Sequence, residues 1–150
     1  MNSKNNTQIP SLLDAVSALE KATYIFYNGI NSDTDSVFAD KKDFTKKYKS
    51  AYNSFSVVLA DCISNCEPHV LSLTDLIKKS DKDQDAYLTA RLCAEFDKYI
   101  KFSEGISDFI LQNEKIIKDG NDFNKSEMVA LVQNLLSTVQ SYIKELQPTD

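Results

Sequence analysis

Five stretches of the chain repeat apolar residues at alternating spacings of three and four, the period of a helix that turns one side to a core. The clearest reads Met128, Val132, Leu135, Val139, Tyr142, Leu146, and a second reads Phe44, Tyr48, Tyr52, Phe55, Leu59, Cys62, Cys66. No stretch alternates apolar and polar residues as a half-buried strand would. Only three glycines and three prolines punctuate 150 residues, which favours few, long elements joined by short connections. The expected fold is all-α: an antiparallel up-down four-helix bundle with an additional short helix between the second and third long helices.

The boundaries follow from capping and breaking residues. Residues 1–9 read as a flexible tail and 10–150 as one helical-bundle domain. Ser11 with Asp14 three places on starts a first helix that carries Leu12, Val16, Leu19, Thr23, Phe26 and Ile30, and Asn28-Gly29 ends it. A second helix runs from about Asp40 to Cys66, where Pro68 is expected to stop it because a proline ring clashes with the preceding turn. A short helix from Pro68 to Lys79 follows, with Val70, Leu73, Leu76 and Ile77 apolar. Asp85 then caps a long helix reading Leu88, Leu92, Phe96, Tyr99, Ile106, Ile110, Ile117, which Asp119-Gly120-Asn121 breaks. Asn124 and Glu127 open the last, which ends near Gln147 before Pro148.

Charge narrows the partners. A net charge of −5, from 17 basic and 22 acidic residues, disfavours nucleic acid and anionic membrane, both of which reward positive charge. Arg91 is the single arginine, so bidentate clamps on phosphate or carboxylate are nearly absent from the chain's repertoire. No eighteen apolar residues follow one another, and the amino terminus has no apolar run of leader type. Three cysteines are an odd set that suits a reducing compartment, and the expected location is the cytoplasm.

Few residues carry chemistry. Cys62 and Cys66, His69 and Cys93 are zinc-type donors, but the first two fall where the apolar stripe needs buried residues, and a buried cysteine behaves as a small hydrophobe. Asp81, Asp83 and Asp85 resemble the first half of an EF-hand calcium loop. Ala86 stands where the sharp turn needs glycine and Leu92 where the bidentate glutamate belongs, so helix-capping turns are the expected role. Asn31, Asp33 and Asp35 repeat the spacing, with Lys42 in the twelfth place. His69, the one histidine, has no recognisable nucleophile turn beside it, and Glu104 and Asp108 read as a solvated face. No catalytic residue, metal site or cofactor is therefore expected.

Lys41, Lys42, Lys46, Lys47 and Lys49 form the one basic cluster, with Asp33, Asp35, Asp40 and Asp43 beside it to neutralise it. Surplus apolar width is the more informative departure from a plain bundle. Tyr24-Ile25-Phe26-Tyr27 is apolar all round, and Phe102, Phe109 and Leu111 lie outside the main stripe of their helix. Aromatic residues dominate interface hot spots, which makes Tyr24, Tyr27, Phe102 and Phe109 the candidate partner-binding residues. The expected function is a non-enzymatic protein-binding module, an inhibitor, immunity protein, chaperone or adaptor acting through a helical surface on another protein or on a second copy of itself. The alternative is a bundle that binds a small ligand or a metal.

Overall fold

The computed structural model describes residues 10–31, 41–118 and 125–147. The tail at 1–9, the acidic segment from Asp33 to Asp40, and the breaks at 119–121, Asn124 and Pro148 lie outside the described residues. Four helices account for the rest: α1 (Leu12–Asn31), α2 (Lys41–Lys82), α3 (Ala86–Lys118) and α4 (Lys125–Leu146). The described chain is an all-helical bundle in which α1 packs on α2 and α4, and α3 packs on the same two.

Pro68 does not end its helix. α2 runs for 42 residues straight through it, so the expected separate short helix is the second part of α2. A proline inside a helix costs on the order of 3 kcal/mol, through one lost hydrogen bond and a clash with the carbonyl four residues back. Apolar contacts on both sides of Pro68 offset that cost. Cys62 and Cys66 are buried before it, and Val70, Leu73 and Ile77 are half-buried after it. Gly29 likewise lies within α1, which runs on to Asn31.

Capping residues fix two of the ends. The Ser11 hydroxyl accepts from the Asp14 amide at 3.1 Å, and the Asp85 carboxylate accepts from the Leu88 amide at 3.1 Å, each satisfying a donor that an opening helix leaves free. Between α2 and α3 the chain reverses at Gln84, whose φ of 59° lies in the left-handed region. The Asp85 amide donates back to the Ser80 carbonyl at 2.9 Å, and the Ser80 and Thr89 hydroxyls pair across the turn at 2.7 Å.

Ring contacts tie the helices together. Phe26 of α1 lies among Tyr48, Tyr52 and Phe55 of α2, at 5.3, 6.2 and 5.0 Å between centroids. Phe109 of α3 meets Phe55 edge-on at 6.0 Å, and Tyr142 of α4 stacks on Phe102 at 4.5 Å. Val16, Leu19, Met128, Val132 and Val139 fill the interior between them. A buried hydrogen bond links α2 to α3, the Tyr48 hydroxyl donating to Asn113 Oδ1. The Asn113 amide nitrogen has no hydrogen-bond partner among the described residues.

Helix lengths do not match. At a rise of about 1.5 Å per residue, α1 and α4 are roughly 30 Å long, α3 roughly 50 Å and α2 roughly 63 Å. The ends of the short helices are located by contacts: the Pro10 carbonyl accepts from His69 Nε2 at 2.6 Å, and Tyr142 reaches Tyr99 and Phe102. Beyond these points α2 and α3 continue as a two-helix arm. Between Cys66 and Phe102 the one buried residue is Ser80.

Two outcomes test the packing. A Cβ added at Gly105 would lie 2.7 Å from Thr138 Cγ2, where α3 meets α4. Gly105→Ala is expected to lower stability by about 1 kcal/mol in urea denaturation, since overpacking of about 1–3 kcal/mol outweighs a propensity gain near 1. Adding Thr138→Ala should reverse the sign of the alanine's effect. Burial raises the Tyr48 and Tyr142 phenols above the ordinary value of 10.0. Both stay protonated in the folded chain while the unfolded chain ionises, so stability should hold below about pH 10 and fall as pH rises further. Tyr48→Phe should flatten part of that fall in the urea midpoints.

Candidate functional site

The four candidate aromatic residues divide into surface and core. Tyr24 is 52% exposed beside exposed Ile25 on α1, while Tyr27 is half-buried against the core. Phe102 and Phe109 are buried, so the expectation that they offer spare surface is corrected. The reason is a change in the number of neighbours along α3. Along the arm α3 faces α2 alone among the described residues, but from Tyr99 onward it also faces α4. Its buried side widens there: Phe102 packs on Tyr142 of α4, while Phe109 meets Phe55 and Asn113 bonds Tyr48, both of α2.

The possible metal donors do not converge. His69 is held by the Pro10 carbonyl, Cys93 is exposed on α3, and Cys62 and Cys66 are buried in the core cluster. Among the described residues no three His, Cys, Asp or Glu side chains gather to hold a metal ion. Cys62 is pushed above the ordinary thiol range by its hydrogen bond to Cys66 and by burial, the behaviour of a thiol kept protonated in an apolar interior. A hollow of about 180 Å³ between α2 and α3 is lined by Ile63, Cys66, Tyr99, Phe102 and Ile106, among others.

The other polar groups serve local structure. Asp81 joins the turn through its backbone carbonyl, which accepts from the Gln84 amide at 3.0 Å, and of the DKDQD carboxylates it is that of Asp85 that caps α3. Lys46, Lys47 and Lys49 are exposed, as are Glu104 and Asp108. A shallow groove of about 490 Å³ on the α3–α4 face brings together Lys98, Lys101, Ser141, Lys144 and Glu145.

A different apolar surface emerges on the arm. Leu76, Leu88 and Tyr87 are 50%, 40% and 75% exposed, and Leu71 is exposed as well. The spacing had placed Leu76 and Leu88 in buried stripes. Helix lengths locate them: a first helix of 20 residues cannot roof a second of 42 and a third of 33, and the mismatch is hidden when the second helix is ended at Pro68. No helix among the described residues is long and apolar enough to cross a membrane. Compared with protein-family models, curated proteins and solved structures, the chain matches none.

Core and surface aromatics should separate cleanly in denaturation. Phe109→Ala or Phe102→Ala is expected to cost about 3–5 kcal/mol. Tyr24→Ala should remain within about 0.5 kcal/mol of the parent.

Proposed function

We propose that the protein is a non-enzymatic protein-binding module that inhibits, escorts or neutralises a partner protein through a helical surface, in the cytoplasm. The unroofed arm is the observation that carries this reading. Leu76, Tyr87 and Leu88 are exposed on two neighbouring helices along a stretch that no described part of α1 or α4 covers, and apolar groups exposed together in this way suit an interaction site. Tyr24 and Ile25 supply a second, smaller exposed apolar pair on α1.

The reading takes residues 10–150 as one domain with its helices antiparallel, up and down. Paired residues support this order: as numbers rise along one helix they fall along its neighbour, Tyr48 with Asn113 and Ser80 with Thr89, Tyr99 with Tyr142 and Gly105 with Thr138. Net negative charge and the exposed position of the apolar groups favour a protein over nucleic acid or a membrane surface as partner.

Affinity purification from the native cell tests the reading, using the full chain with Leu76→Asp and Leu88→Asp as controls. Proteins retained by the parent should be lost from both variants while thermal midpoints stay within a few degrees, as surface substitutions allow. Equal recovery on all three chains would overturn it.

A further inference from the structure

We infer that the arm docks on the arm of a second copy of this chain, inner face to inner face about a two-fold axis beside Arg91 and Glu95. The inference rests on reading the arm as a protein-binding surface and names its occupant.

Register identifies the inner face. On α2 the buried Cys62 and Cys66 lead at steps of three and four to His69, Leu73, Leu76 and Ser80. On α3, Leu88 and Glu95 precede Phe102 by fourteen and seven residues, which is the same heptad position, and Arg91 lies one turn before Glu95. Phe102 packs on α4 through Tyr142. Phe109, at the same heptad position, packs on Phe55 of α2, so these positions follow the side of α3 that meets α2 and α4 in the bundle, and in the arm Leu88, Arg91 and Glu95 on it are exposed.

Three properties favour a second copy as the cover. Two helices make half of a four-helix cross-section, and another arm supplies the missing half at the same length. An isologous contact also requires a surface complementary to itself. Arg91 and Glu95, of opposite sign and one turn apart, meet that requirement, because antiparallel α3 helices set each arginine against the other copy's glutamate. Arg91 lies over the Tyr87 ring at 5.8 Å and Glu95 holds Lys98 at 2.9 Å, with both groups exposed. Charge along the arm is nearly balanced, five basic residues against six acidic between Pro68 and Lys98, so two arms repel little although the whole chain carries −5.

Helix rise and diameter give an inner face of roughly 22 by 20 Å. Two such faces bury on the order of 1,000 Å², near the lower end for specific protein interfaces and in the class of weak, reversible contacts, so association is sought from micromolar concentrations upward.

Analytical ultracentrifugation of the full chain provides the test. The parent should pass from the 16.9 kDa monomer to twice that mass across the micromolar range. Arg91→Glu and Glu95→Arg should each weaken association about tenfold or more, since each sets like charges face to face. Mixing these two variants should restore a dimer, and so should the double variant R91E/E95R. Loss of the Tyr87 contact or of the Lys98 pair within one chain does not produce that rescue. Tyr24→Asp, away from the arm, should leave association unchanged. A parent that stays monomeric to about 0.5 mM, single variants that associate as the parent does, or the absence of rescue would overturn the inference. A monomer whose captured partners are still lost on Leu76→Asp would leave the protein-binding reading standing; a monomer with unaffected capture would overturn both.

Discussion

An apolar stripe is covered only as far as its neighbours reach, and in this chain the neighbours are unequal. α2 and α3, at 42 and 33 residues, share a bundle with helices of 20 and 22. Burying a leucine side chain contributes about 1.5–3 kcal/mol, so the four-helix section gathers most of the cohesion and the two-helix section gathers little. The distribution of buried residues follows from that mismatch, as does the separation of Phe102 and Phe109 in the interior from Leu76 and Leu88 outside.

A buried polar pair complements the apolar core. Tyr48 and Asn113 bond across α2 and α3 near the end of the bundle remote from the arm, where neither group has water to fall back on. Sliding either helix by one residue would separate them and strand both in an apolar interior. That penalty selects a single register between the two longest helices, and the register then determines which side chains the arm presents.

Much of the fold was legible from spacing alone. Met128, Val132, Leu135, Val139 and Tyr142 are buried, as their stripe implies, with Leu146 at its end half-buried, and Ser11 and Asp85 cap the helices assigned to them. Three features were not legible, for distinct reasons. Pro68 has the local chemistry of a terminator, and only packing on both sides of it carries the helix through. Phe102 and Phe109 lie outside the best single stripe of α3, because that stripe was drawn as though the helix kept the same neighbours throughout. The pairing of Tyr48 with Asn113 joins residues 65 positions apart and leaves no periodic trace.

Pro68 has a mechanical meaning as well. It removes one rung of the backbone ladder in α2 beside His69, the residue that grips the start of α1 through Pro10. Proline sites are where long helices bend most readily. The arm therefore joins the bundle where α2 lacks one backbone hydrogen bond, so the place at which a long helix bends with least loss coincides with the boundary between its four-helix and two-helix sections.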